Sequence, residues 1–441
     1  MRRVHGWQLV LVIAVALLSA FACDDEGGND SEATSTGEAS ATDTGTDEPV
    51  EVLTVDEILR KDPGVTKREE VTWGAMFEET GALAGFGVPV KDGLTMAVQE
   101  INAAGGFQVG DTIYTIKLAE KDTRTEVPRS LDVTRELIQD DGIKIIWGPA
   151  AAGDPETTQL SQEAGVLHIC ACPGREVTSL TSVEEMEENA PYAFQTIAAP
   201  SKFLAPGARN TKEDYPQFTT FATICANSET GKAFCQFFTD AYEAAGFEKV
   251  GEELVPALTT DFNVYLTSLK ENDPDLILNF FDAGTDQLTL LKQSWQQDVG
   301  EYYIGVELPY DLWEGLVGGK GIRDKIVSLG AAPRGHAQYT SEKARSFFED
   351  KYKVLKDLPP AAFGALLTYD PAYMLIAAMQ RAGTVDDVEK IAQALEEVHF
   401  NGVSEDDMYF DNRHIMVTGN DSCLAYQGAM TCVHNPPPPE E

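Results

Sequence analysis

Three stretches of this chain hold residue types that could do chemistry at close range. "HICAC" sets His168, Cys170 and Cys172 two apart along a strand, where an imidazole and two thiolates could grip a metal ion. The favoured reading of this run is a buried sheet face in which the thiols behave as small apolar groups, since no supporting ligand cluster is visible around it. "TGALAGFG", residues 80–87, has three glycines, two alanines and a single aromatic, Phe86. Backbone this bare serves either to cradle a phosphate or to wall a cleft for a small molecule. "GLVGGKG" adds a glycine–lysine pair, Gly319 and Lys320.

Phosphate binding fails on spacing. Leu83 stands two after Gly81, where the dinucleotide pattern needs glycine; Glu314 stands five before Gly319, and Gly321 follows the lysine where Ser or Thr belongs. Outside the N-terminal segment the histidines, His168, His336, His399, His414 and His434, are scattered, with no HExxH, GxSxG or CxxC. The carboxylate pairs Asp24–Asp25 and Glu78–Glu79 read as solvated. With no nucleophile–base constellation in sight, the expectation is a protein that is not an enzyme and that needs neither cofactor nor metal.

The N-terminus fixes the compartment. "MRRVHGWQLVLVIAVALLSAFAC" has two arginines, an apolar run from about Leu9 to Phe21 and small residues before Cys23. That run falls short of the ~20 residues a bilayer span needs and predicts a cleaved secretory signal, residues 1–22. Its end, "AFAC", resembles a bacterial lipobox, which implies lipidation of Cys23; Ala20 stands where that pattern prefers leucine, and a plain signal cut near Ala22 is the alternative. Asp24 to Glu51 then carries ten acidic residues and no Lys, Arg or aromatic, a composition that cannot form a core. An acidic disordered tether is expected over residues 23–69. The net charge of −39 excludes nucleic acid as a partner.

Six cysteines remain beyond Cys23, an even number in an exported chain. Cys423 and Cys432 flank a hairpin-like stretch and are the first expected pair; Cys225 and Cys235 would join a strand end to the next helix. Cys170 and Cys172 are expected to be free or paired elsewhere, because a bridge between residues two apart on a strand is strained.

The elements that must position these residues alternate. "VTWGAMF", "TIYTIKLAEKD", "IKIIWGP" and "VLHICAC" read as strands separated by helices, and the order begins again at "FTTFATICA". This implies two α/β halves with parallel sheets, and ligands of such sheets bind beyond the strands' carboxyl ends. Those ends here, such as "MFEETGALAGFG", "WGPAAAG", "CACPGRE", "CANSETG", "FFDAGTD" and "GVELPY", are small, polar or glycine-rich. They suit a cleft in which Phe86 offers an apolar face.

In this order and spacing, the motifs resemble the branched-chain amino-acid-binding subgroup of periplasmic solute-binding proteins. The resemblance is carried by Thr80, Gly81, Ala84 and Gly87, then "AVQEINAAGG", "KDT", "DDGIKIIWGP", "GVLHICACPG", "TDFNVYLTSLKENDPDLIL", the late helices from "TYDPAYMLIAAMQ" and "DMYFDNRH". It implies a type I periplasmic-binding-protein fold: two Rossmann-like lobes joined by three crossovers, near 198–202, 329–334 and 401–411. Lobe 1 would span 70–198 with 335–400, lobe 2 would span 199–330 with 411–433, and 434–441 would be a disordered tail.

The resemblance also implies a ligand set. Phe86 matches the aromatic that packs on the ligand. Ala150, Ala151 and Ala152, and then Cys172, Pro173 and Gly174, match the loops that hold a ligand carboxylate, without their usual hydroxyls. Thr230 and Ala283 match second-lobe aromatic positions, and Glu307 matches the acid that takes the ligand ammonium. Backbone N–H groups or Arg175 are left for a carboxylate; Arg175 also reads as a solvated loop residue. The expected function is capture of a small molecule, an amino acid or related compound, for an ABC transporter permease, from a lipid anchor on a bacterial membrane. A ligand-sensing lipoprotein of the same fold that transports nothing is the alternative.

Overall fold

The computed structural model describes residues 50–140, 142–150, 154–172, 183–256, 259–281, 284–306, 326–329, 341–353, 362–426 and 429–436. Cys23, Ala151, Ala152, Pro173, Gly174, Arg175, Ala283 and Glu307 lie outside the described residues.

The first half runs β1 (Val52–Leu53), α1 (Val55–Ile58), β2 (Lys67–Phe77), α2 (Ala84–Ala103), β3 (Phe107–Val109), β4 (Thr112–Asp122), α3 (Val127–Arg135), β5 (Ile145–Trp147), α4 (Asp154–Glu163), β6 (Leu167–Cys170), α5 (Val183–Asn189) and β7 (Ala193–Gln195). The second comprises α6 (Pro200–Asp214), β8 (Thr220–Ala226), α7 (Glu229–Ala244), β9 (Glu248–Val255), α8 (Asn263–Lys270), β10 (Leu276–Phe280), α9 (Gly284–Gln297), β11 (Tyr302–Val306) and β12 (Ile326–Leu329). There follow α10 (Glu342–Ser346), α11 (Leu366–Ala382), α12 (Val388–Leu395), β13 (His399–Phe400), β14 (Tyr409–Phe410), β15 (Met416–Val417), β16 (Asn420–Tyr426) and β17 (Ala429–Asn435).

Two sheets result. One is six-stranded in the order β3-β4-β2-β5-β6-β7, the other seven-stranded in the order β17-β16-β12-β11-β10-β8-β9. Strands β4-β2-β5-β6-β7 and β9-β8-β10-β11-β12 are parallel throughout, so the two halves share one strand order, with the first strand of each beside the second and third. The carboxyl-terminal half of β2, from Trp73 to Phe77, is continuously buried, as expected of a parallel strand covered on both faces. The alternation read from the sequence therefore gives the expected α/β class.

The first sheet packs against α2 and α11, and residues Leu366–Met379 of α11 are buried along their whole length. This helix is apolar enough to resemble a membrane span, and burial between packed elements is what demands it here. On the second sheet, one face carries Phe221, Leu276, Leu278 and Ile304 beneath α6 and α7, and the other carries Ile224, Ile277 and Tyr303 beneath α8 and α9.

Several expectations are corrected. The tether does not reach residue 69. β1 pairs in parallel with β13, Thr54 and Glu57 form a capping box on α1, and Ile58 is 1% exposed. Leu53, Val55, Ile58 and Leu59 give this segment the apolar residues that the acidic stretch before it lacks. The third passage between the halves comes after Val417 and not over 401–411, because Met408, Phe410 and Met416 are buried in the first half's core. Asp370 of α11 also holds Val403 and Ser404 there through their backbone N–H groups, at 2.9 and 2.8 Å. The chain's last strand runs to Asn435, two residues into the expected tail.

The cysteines bring a further correction. Cys170 and Cys172 are joined to each other. Strand β6 ends at Cys170 and the chain bends, so their Cα atoms stand 5.3 Å apart, within bridging range; two residues along a straight strand would set them ~6.6 Å apart. Cys225 and Cys235 are joined between β8 and α7. Cys423 and Cys432 stand opposite each other in the β16–β17 register, and Cys432 is disulfide-bonded.

Candidate functional site

In each sheet the strand order reverses beside the first strand, between β2 and β5 and between β8 and β10. Ligands of open α/β sheets bind outside the carboxyl ends at such switch points. In the first sheet this place is closed by a carboxylate. Glu78, directly after β2, is fully buried, and its Oε2 accepts a hydrogen bond from the Ala150 N–H at 3.0 Å. This corrects the solvated reading of Glu78; its neighbour Glu79 is the half-exposed one and pairs with Lys91 at 2.6 Å. The Ala150 N–H, first of the loop matched to carboxylate binding, is thus already taken.

The glycines of residues 80–87 serve this packing. Gly81 has a φ of +93°, and a Cβ there would lie 2.4 Å from the Arg124 carbonyl oxygen. A Cβ on Gly87 would lie 2.5 Å from the Glu78 carbonyl oxygen, so only glycine lets α2 press on the end of β2. Helix α2 starts at Ala84 and carries Pro89 inside it. Phe86 consequently stands in the first helical turn, half-buried, with its ring centroid 6.0 Å from that of Phe363.

Beside this, Asp122 at the end of β4 gathers the rim. It accepts from the backbone N–H groups of Glu79, Thr80 and Arg124 at 3.1, 3.2 and 2.9 Å, and from the Thr80 hydroxyl at 2.7 Å. Burial on its own would raise the Asp122 pKa; the hydrogen bonds from Thr80, Arg124 and Glu79 outweigh it and hold the carboxyl below its ordinary value. The Thr125 hydroxyl, in turn, accepts from Leu83 N–H at 3.1 Å and donates to the Thr80 carbonyl at 3.1 Å.

Cys172 is buried and cross-linked, so its side chain is withheld from a ligand. His168 is also spoken for: Nε2 lies 2.6 Å from the Gly148 carbonyl oxygen and Nδ1 3.0 Å from the Thr158 hydroxyl. With its sulfurs oxidised and both ring nitrogens engaged, "HICAC" has lost the donors a metal would need. Among the described residues no group of His, Cys, Asp and Glu is placed to hold a metal ion.

At the second switch point the Ser228 hydroxyl caps α7 by accepting from Gly231 N–H at 3.0 Å. A Cβ on Gly231 would lie 2.1 Å from the Ala226 carbonyl oxygen, so α7 sits directly on the end of β8. Thr230 is half-buried in that first turn. The structure therefore puts Phe86 and Cys172 at the ends of the first sheet and Thr230 at the end of the second. Glu78 and Asp122 are site-building residues that sequence reasoning missed, although Glu78 directly follows β2 and Asp122 ends the neighbouring β4.

Residues 70–420 match the family model described as periplasmic binding protein, which takes in the parallel strands of both sheets and the loops at their carboxyl ends. The chain belongs to the periplasmic binding protein family. Members bind solutes outside the cytoplasm and are not enzymes. The leucine-, isoleucine-, valine-, threonine- and alanine-binding protein of Pseudomonas aeruginosa is 23% identical over 320 residues, covering 72% of this chain and 79% of that one. A Leu/Ile/Val-binding protein of Rhizobium johnstonii is 22% identical, covering 74% and 84%. Among solved structures, the branched-chain amino-acid transporter substrate-binding protein LivJ of Streptococcus pneumoniae, in complex with isoleucine, matches with a TM-score of 0.69 at 22% identity, over 84% of this chain and all of that one. An R. palustris solute-binding protein in complex with benzoate matches with a TM-score of 0.67 at 17% identity, over 85% and 98%. At these identities the structural likenesses carry the fold.

Proposed function

We propose that this periplasmic binding protein is the receptor of an ABC importer, capturing an amino acid or related small molecule between its halves and releasing it to a membrane permease. The observation that carries this is the family match across two sheets whose five parallel strands run in the same order, each with its switch point built from close-packed strand ends. The amino-acid class is supported by relatives named for leucine, isoleucine and valine. In this reading Phe86, Thr230 and Ala283 flank the ligand, the backbones around 151–152 and 172–174 meet its carboxylate end, and Glu307 pairs with its ammonium. Closure of the halves would trap it.

Native mass spectrometry of the purified protein identifies what it retains, and calorimetry with that compound tests the site. For an amino acid, Glu307→Gln leaves the ligand's charge buried and unpaired, a loss of ~3–5 kcal/mol. That corresponds to a hundredfold weaker binding or more at ~1.4 kcal/mol per tenfold. A loss under about threefold removes the ammonium role of Glu307. Retention of an acid without an amine would instead favour the ligand type of the benzoate-binding relative, consistent with the missing hydroxyls at Ala150–Ala152.

The anchor belongs to the same proposal. Cys23 follows a lipobox-like run and precedes a coreless acidic segment, which supports a lipidated N-terminus that keeps the receptor at the membrane. Labelling cells with a fatty-acid analogue should mark the wild-type protein and leave Cys23→Ala unmarked; equal labelling of both would remove the anchor.

A further inference from the structure

Only Thr418 and Gly419 separate β15, in the first half, from β16, in the second sheet, so the third passage between the halves is very short. It runs between two groups that belong to opposite halves. Glu405 lies in a segment that Asp370 and the Phe400–Met408 pairing keep with the first half. His434 lies in β17, at the edge of the second sheet.

One carboxylate oxygen joins all three. Glu405 Oε2 accepts from the Gly419 N–H at 3.3 Å and stands 3.1 Å from His434 Nε2. The passage is wedged between them: a Cβ on Gly419 would lie 2.4 Å from His434 Cε1 and 2.7 Å from Glu405 Oε2. Both side chains are sheltered, Glu405 at 11% exposure and His434 at 24%, so salt screens the pair less than it screens a surface pair. With the ring protonated, the contact is a charge-assisted hydrogen bond, about twice as strong as a neutral one. Histidine is the side chain that changes charge between about pH 5 and 8.

The other groups at this corner ordinarily titrate outside that range or carry no charge. Asp406 donates its N–H to Glu405 Oε1 at 3.2 Å, and its carboxylate pairs with Lys343 at 2.7 Å. Asp421 stands opposite His434 in the β16–β17 register. From α6 comes Asn210, which donates to the Asn435 side chain at 3.0 Å.

We propose that Glu405 and His434 form a pH-sensitive latch across the third passage. Charged His434 holds the two halves in the arrangement described, and neutral His434 frees the passage between them. This regulation rests on capture by closure, as proposed above.

Hydrogen exchange of the purified protein at about pH 5.5 and 8.5, corrected for the intrinsic pH dependence of exchange, reads the latch at the peptide containing Gly419. Protection there should be about fivefold lower at the higher pH. His434→Gln keeps a neutral donor and should be equally protected at both pH values, whereas Glu405→Gln should be weakly protected at both. Protection elsewhere in the same data shows that each variant is folded. Scattering of the unliganded samples should change between the two pH values in the wild type and stay constant in both variants. Equal corrected protection in the wild type, or a pH effect that persists in His434→Gln, overturns the proposal. So does exchange that changes while scattering does not, in a protein that closes on ligand. Scattering with and without ligand reads closure separately; if closure fails there, the functional reading falls and the latch's role falls with it.

Discussion

Strands β2 and β8 hold the same place in their sheets, yet their carboxyl ends are fastened by different chemistry. The end of β2 is tied by carboxylates: Glu78 holds the Ala150 N–H, and neighbouring Asp122 gathers four donors from the loops on either side. The end of β8 has no such network among the described residues. It is tied by the Cys225–Cys235 disulfide, by the Ser228 cap and by direct seating of α7 at Gly231. The β2 end is held by carboxylate hydrogen bonds and the β8 end by a covalent bond, while a glycine seats the following helix on both. Shared topology fixes where a ligand site can lie, but not how its walls are made rigid.

The largest effect should come from the β8 end. Replacing both Cys225 and Cys235 by alanine opens a short covalent loop, for which chain entropy gives a loss of about 3 kcal/mol. Urea denaturation should show it, and reductant should add little in the double variant. If the variant keeps wild-type stability, the disulfide is not what secures this rim.

The β2 end should respond next. Glu78→Leu leaves the buried Ala150 N–H without its acceptor, at a cost of about 1–3 kcal/mol. Glu78→Gln keeps a carbonyl oxygen at that place and should lose less. Equal losses for Leu and Gln would mean that charge matters there more than the hydrogen bond.

The smallest effect is a pH slope. The Asp122 pKa is lowered in the fold, so its contribution is present above the unfolded value of ~3.9 and is lost as pH falls through the folded value. Being partly exposed, it is worth less than about 1 kcal/mol. Denaturation midpoints between neutral and strongly acid pH should fall more gently in Asp122→Asn than in wild type. An unchanged slope would show that the rim's acid sensitivity lies elsewhere.

Much of the fold was legible because hydrophobic periodicity and turn residues repeat twice along the chain. "VTWGAMF" and "FTTFATICA" announce buried parallel strands, and the Gly105–Gly106 pair, with φ of +90° and +88°, marks the end of α2. What was hidden depended on contacts distant in sequence. Glu78 looks like any surface glutamate until β5 brings Ala150 beside it. The Cys170–Cys172 bond was dismissed by assuming that the strand continues, and its early end at Cys170 makes it feasible. Likewise, nothing local in 401–417 shows that Asp370 retains this segment with the first half. The ligand-contact residues were reached through resemblance, and of these Phe86 sits with one side in the core against Phe363, while Cys172 is closed off in its disulfide.

Small-angle X-ray scattering tests most directly whether the two halves capture solute by closing. The purified protein, stripped of what it retains and then resaturated with that same compound, should show a smaller radius of gyration with ligand than without. Superimposable profiles at saturation, with binding confirmed by calorimetry on the same samples, would contradict capture by closure.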